Sequence, residues 1–209
     1  MPEKLSQIPF EELRPTSRSG FFTELKEIPH KPGTVVKEVK ATQESNFEDY
    51  LKEAEVMKSY IQQCREGGLS EFIPQTDFVI GKNEKGFTTL YIVQEFIEEQ
   101  PFVSEDLAKR NKFLINLVKG LLEIYFNTYD GKQGKIIEIE KEANFIWGNK
   151  INDKENKRVH AIDLLPVHTR PPFGLRAVLE KFCDNYQIDK GNFDIELDKL
   201  NSLEAKMGT

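Results

Sequence analysis

Residues 34–61 read TVVKEVKATQESNFEDYLKEAEVMKSYI, and a change of period inside this stretch decides the fold class. Thr34-Val35-Val36-Lys37-Glu38-Val39 is β-branched and alternating, the pattern of a strand with one face turned inward. Beyond it, Phe47, Tyr50, Leu51, Ala54, Met57 and Ile61 recur at helical spacing. Ser45-Asn46-Phe47-Glu48 has the form of a capping box with Ser45 as the cap, and Gly67-Gly68 supplies the stop. Glu53 flanks the apolar stripe, where it can point toward a neighbouring sheet and a lysine upon it.

Working outward, residues 1 to about 16 are polar and proline-containing and read as an extended leader. Phe21–Ile28 reads as a strand, with turn chemistry in residues 29–33 before Thr34. Thr76–Ile80 and Gly86–Phe96 form a predicted hairpin around the polar turn Gly81–Lys85, and the chain then runs into an acidic connector with a boundary near Glu98. Ser104 is the expected cap of a longer helix whose broad apolar face is Phe113, Leu114, Leu117, Val118, Leu121, Leu122 and Tyr125. Lys135–Glu140 alternates as a strand, and Asn144-Phe145-Ile146-Trp147-Gly148 is apolar after its Asn. A polar turn over Asn149–Arg158 leads into a predicted strand over Val159–Leu165. Pro171-Pro172 breaks the chain before a helix over Leu175–Phe182, and the remainder is polar and partly helical. The elements make an α+β protein.

The chain has 209 residues, 38% hydrophobic and 31% charged, enough for a real core in one domain or two small lobes. A net charge of -6 argues against a nucleic-acid partner, because phosphate binding calls for a basic surface. No apolar run reaches the roughly 18 residues that span a bilayer, so no membrane role is expected. Met1-Pro2-Glu3-Lys4 is not followed by an apolar signal core, and Cys64 and Cys183 are too few for a disulfide framework. A cytoplasmic protein with reduced thiols is expected. His30, His160 and His168 have no metal-ligand spacing.

Lys37, Glu53, Glu95, Asn144 and Asp163 occur in an order that resembles the nucleotide-binding machinery of the protein-kinase-like superfamily, small bacterial members in particular. Thr34-Val35-Val36-Lys37 is similar to the Val-Ala-Ile-Lys strand. The resemblance gives Lys37 the ATP α and β phosphates and Glu53 the pairing with that lysine. Leu90–Ile97 is similar to the hinge strand, which implies adenine recognition by backbone groups near Glu95 and Ile97. Asn144, before a short apolar strand, and Asp163, in His160-Ala161-Ile162-Asp163-Leu164-Leu165, look like the two magnesium ligands. The implied architecture is a two-lobed kinase-like fold: residues 1–16 a leader, 17–98 an N-terminal lobe of a small sheet plus one helix, and 99–209 a reduced, mainly helical C-terminal lobe.

The pattern departs from the family in three places. The catalytic Asp should stand five positions before the Asn, where this chain has Ile139, which cannot accept a proton. A one-residue shift would let Glu138 or Glu140 supply a carboxylate. Alternatively Ile137 and Ile139 are the inward face of a strand and both glutamates lie in solvent. Lys141 matches the family's loop lysine, a γ-phosphate contact or a surface lysine. In Ser17–Leu25 only Gly20 fits the phosphate-covering glycine loop, Arg18 and Thr23 taking the other positions. Leu164-Leu165 replaces Phe-Gly, and no Ala-Pro-Glu follows.

The resemblance implies a protein binding Mg-ATP between two lobes, with phosphoryl transfer to a small-molecule or protein acceptor. The alternative is a pseudokinase, a nucleotide-sensing or protein-binding module without transfer. A third reading is an unrelated α+β interaction protein.

Overall fold

The computed structural model describes residues 14–19, 23–27, 33–39, 46–101, 103–151, 153–163 and 168–207. The fold is α+β, with four α-helices and small sheets among the described residues. By compactness the chain divides into residues 1–58, 74–98 and 150–155 as one unit and residues 59–73, 99–149 and 156–209 as another.

The first unit carries a five-stranded antiparallel sheet of β1 (Arg14–Ser19), β2 (Thr23–Glu27), β3 (Thr34–Val39), β4 (Thr76–Lys82) and β5 (Thr88–Glu95), in the order β1-β2-β3-β5-β4. The expected leader therefore ends in a strand from Arg14. Its composition hid it, because Arg14-Pro15-Thr16-Ser17-Arg18-Ser19 has no apolar alternation. The strand expected over Phe21–Ile28 is β2, limited to Thr23–Glu27. Tyr91 and Val36 form a small core with Val79 and Val93 on one face of the sheet. Directly paired residues share a face. Lys37 pairs with Ile92, and Ile92 with Phe78, so the lysine shares the opposite face with buried Ile92 and Phe78. The β4–β5 turn closes through Asn83, whose N–H donates to Phe87 O at 2.9 Å.

Helix α1 (Phe47–Cys64) begins one residue later than the capping-box reading requires. Asn46 is the cap: its Oδ1 accepts the Asp49 N–H at 3.0 Å, and its Nδ2 donates to the Asp49 carboxylate. Ser45 lies outside the described residues. Tyr50, Ala54, Met57 and Ile61 are buried as the periodicity predicts, whereas Phe47 is exposed because it sits on the first turn. A single π turn over Arg65–Leu69 follows, and Gly68, at φ +82°, ends it in the left-handed region that glycine reaches without strain.

The second unit is built around α2 (Leu107–Asn127), whose Leu114, Leu117, Val118, Leu121, Leu122, Ile124 and Tyr125 are buried. Ser104 does not cap it. A 3-10 turn over Ser104–Asp106 leads in, and the Asp106 N–H is satisfied by Val103 O at 2.9 Å rather than by a side chain. The strand expected over Lys135–Glu140 is only β7 (Gly134–Ile136), paired antiparallel with β10 (His168–Arg170). Ile137 and Ile139 are also buried, but the chain leaves the sheet after Ile136 and turns over Ile139-Glu140. β8 (Phe145–Lys150) pairs with β9 (Asp153–Ala161). β9 starts within the expected polar turn because its first half is largely exposed, and it ends at Ala161 rather than Leu165. Leu164–Val167 lie outside the described residues. α3 (Pro172–Tyr186) opens on a proline at N1, which has no N–H to leave unsatisfied, and packs on α4 (Asp194–Met207). Among the described residues no helix is long and apolar enough to cross a membrane.

Gly134 is where the packing tolerates least. A Cβ there would meet Tyr125 O at 2.6 Å and the Tyr125 ring at 2.8 Å. Tyr125 itself is fixed by donating its hydroxyl to Arg170 O at 2.8 Å. Gly134→Ala should therefore lower stability by about 1–3 kcal/mol, read as a shifted denaturation midpoint. An unchanged midpoint would mean that β7 and α2 are free to separate.

Candidate functional site

The second unit brings its candidates together at the segment between β7 and β8. Ile137 and Ile139 turn fully inward. The glutamates between and after them do not lie in solvent, as the strand reading expected. They are half-buried because each is held by a cation. Glu140 accepts from Arg170 Nη2 at 2.7 Å, and Glu138 pairs with Lys141. That pairing is the main reason the Lys141 amine is held above its ordinary range, and the carboxylates of Asp163 and Glu140 add to it. Lys141 thus stands in the field of Asp163.

A 3-10 turn over Glu142–Asn144 then delivers Asn144, which is 6% exposed. Its Nδ2 donates to Glu138 O at 2.9 Å, its N–H to Lys141 O at 3.0 Å, and its own carbonyl accepts the Ile162 N–H at 2.9 Å. The last bond holds Ile162 against Asn144, and half-buried Asp163 is the next residue along the chain. With its nitrogen committed to Glu138, the amide leaves Oδ1 as the atom a cation can take. Among the described residues no group of three or more His, Cys, Asp or Glu side chains is placed to hold a metal. Two oxygen ligands suit magnesium, which is ordinarily bound through one or two carboxylates plus substrate phosphates.

The first unit holds the other candidates. Lys37 is half-buried on β3. Glu53 is half-buried on α1 while Glu55 is exposed, as expected for the one flanking the stripe. Among the described residues no cation is paired with Glu53, and burial alone pushes its carboxyl up. Glu95 forms an ion pair with Lys150 at 3.0 Å, and its N–H donates to Gln75 O at 2.8 Å, so the backbone group left for a ligand there is the carbonyl. Ile97 is buried at the start of β6 (Ile97–Glu99). Gly20 lies outside the described residues. Cys64 is buried, and burial pushes its thiol up to about 12, which removes it as a nucleophile.

Arg170 is the residue that sequence reasoning missed. It lies 30 positions from Glu140 in a stretch, His168-Thr169-Arg170-Pro171-Pro172, that reads only as a breaker. The β7–β10 register brings it home. No protein-family model and no curated protein matches the chain.

Two outcomes test this electrostatic picture. Arg170 Nε and Glu140 Oε2 are buried without a further hydrogen bond among the described residues. Arg170→Met should cost on the order of 1–3 kcal/mol in chemical denaturation, and adding Glu140→Leu should recover much of it, since the second change removes the stranded charge. Separately, Glu53 has a folded-state pKa above its unfolded value. Its ionisation therefore opposes folding, an effect absent below the unfolded pKa and fully present once pH exceeds the folded one. Glu53→Gln should melt no lower than wild type at pH 7, with its advantage shrinking toward pH 4. A lower melt at pH 7 would reveal a cation on Glu53.

Proposed function

We propose that this chain is a two-lobed protein-kinase-like protein that binds Mg-ATP and has at most slow phosphoryl transfer. The observation that supports binding is the backbone bond from Ile162 to Asn144, with Asp163 the next residue along and its carboxylate acting on Lys141. The order of elements agrees, with Lys37 on the third strand and Glu53 on the helix that follows it. In this reading Lys37, in the first unit, offsets phosphate charge, and the Glu95 carbonyl and Ile97 meet the adenine edge. Glu53 is available to orient Lys37 once nucleotide is bound. In the second unit Asn144 and Asp163 are the ligands for magnesium, and Lys141 attends the γ-phosphate. Magnesium, when bound, would neutralise charge on the phosphate oxygens. The acceptor is a small molecule or a protein, and ATP as ligand goes with a cytoplasmic setting.

The pseudokinase form of this reading is favoured by Ile139. At the position of the proton-accepting Asp it is fully buried, and the carboxylates on either side are engaged by Lys141 and Arg170. Neither is presented to an incoming hydroxyl.

A thermal melt with and without Mg-ATP tests the reading on wild type, Lys37→Ala and Asp163→Asn. A ligand specific to the folded state adds about 2.7 kcal/mol at a hundredfold excess over Kd. The expected result is a magnesium-dependent rise in midpoint, lost in both variants, with little label transferred from γ-labelled ATP. No rise at millimolar nucleotide would overturn it.

A further inference from the structure

The second unit contains a pocket of about 440 Å³, lined by none of the residues assigned to nucleotide. Phe145 and Trp147 reach it from β8, where alternate side chains share a face, and Tyr186 reaches it from the end of α3. Trp147 is held in place. Its indole N–H donates to Asp106 at 3.3 Å, and its ring packs on Phe113 with centroids 6.2 Å apart. The Phe145 and Tyr186 rings meet edge to face at 6.3 Å. Aromatic walls fixed before a ligand arrives are the usual character of a small-molecule site.

The charged groups of the wall are already in use. The Arg110 guanidinium lies over the Tyr186 ring, 5.5 Å from its centroid, and donates to Asn111 Oδ1 at 3.1 Å. Glu142 attracts the same guanidinium. Glu99 also has an interaction within the chain. A charged ligand would give up its hydration for groups that are already engaged, a cost that an uncharged one avoids.

Gln100 differs from them. Its N–H is spent on Trp147 O at 3.0 Å, but among the described residues its side-chain amide makes no hydrogen bond. The residue is half-buried on the pocket wall. A glutamine amide offers an acceptor oxygen and an NH₂ donor on one flat edge. The group that matches such an edge is another amide, which returns a donor and an acceptor side by side.

We propose that this pocket binds an uncharged aromatic carboxamide or lactam. The ring packs against Phe145 and Trp147, and the amide edge pairs with the Gln100 side chain. The volume suits one such molecule, being at the lower end of ordinary ligand pockets, roughly 300–1,000 Å³.

Trp147 is the only tryptophan in the chain, so its indole N–H resonance reports on this site alone. The full chain, free of nucleotide, is titrated with benzamide and with its two charged isosteres, benzoate and benzamidinium. Benzamide should give a saturable shift, and each ion should bind about threefold more weakly or worse. Gln100→Met keeps the length of the side chain and removes the amide, and it should weaken benzamide about three- to tenfold. Gln100→Glu keeps the shape and replaces the amide by a charge. It should reverse the order, benzamidinium then binding more tightly than benzamide, a gain that a disturbed pocket cannot produce. No saturable shift below about 10 mM benzamide would overturn the proposal. So would either ion binding the wild type as tightly as benzamide, Gln100→Met leaving benzamide unchanged, or Gln100→Glu leaving the order unchanged. Because no nucleotide is present, these outcomes are separate from those of the Mg-ATP melt.

Discussion

The segment from Ile137 to Asn144 is neither helix nor sheet for most of its length, so its backbone groups must find partners elsewhere. Asn144 provides much of the solution. It donates to the Glu138 carbonyl through its side chain and to the Lys141 carbonyl through its N–H, while its own carbonyl takes the Ile162 N–H. Asn185 adds a bond to the Glu140 carbonyl at 3.2 Å. An ionised aspartate at position 144 could not make the first of these bonds, because it has no donor. The loop therefore needs an amide there whether or not an ion ever binds. Asn144→Asp separates the two needs, keeping an oxygen for a cation while stranding the Glu138 carbonyl.

Much of the architecture was legible where one face of an element is buried. β3, α1 and α2 each bury a regular stripe and could be read from its period, and the β4–β5 hairpin could be read from its polar turn. β1 and the first half of β9 could not. Their polar residues give hydropathy no contrast, and the strands exist through pairing with a neighbour. β7 was overread because Ile137 and Ile139 continue the apparent alternation beyond Ile136, where the pairing with β10 has ended and the chain turns. Capping was read one residue early at α1 because Ser45 and Asn46 are both good caps, and only geometry chooses between them.

The site was legible in proportion to how unusual each residue is in its surroundings. Asp163 stands out because it interrupts an apolar run, where a polar group has to be satisfied, and Asn144 because it opens a short apolar strand. The alternative that left Glu138 and Glu140 in solvent fails because their partners are not both local. Lys141 is three residues from Glu138, but Arg170 reaches Glu140 only through long-range pairing. The opposite holds for Lys37 and Glu53, whose spacing looks like a pair while burial alone governs the carboxyl.

Within the kinase-like reading, the missing base is not a point defect. Ile139 is part of the core with Ile136 and Ile137, all three fully buried. Placing an aspartate at 139 would put a charge where an aliphatic side chain now packs, at a cost of several kcal/mol unless it found a partner or took up a proton. A protonated carboxyl cannot serve as the base. The neighbouring cations are already taken, Lys141 by Glu138 and Arg170 by Glu140. Recovering a working carboxylate would require turning this segment over, so that position 139 leaves the core and position 138 or 140 enters it. That would break the Asn144 bond to Glu138 and strand Arg170. The same packing that ties Asn144 to Ile162 thus keeps the base position apolar, so in the kinase-like reading the bonds that position Asn144 also stand against a base at 139.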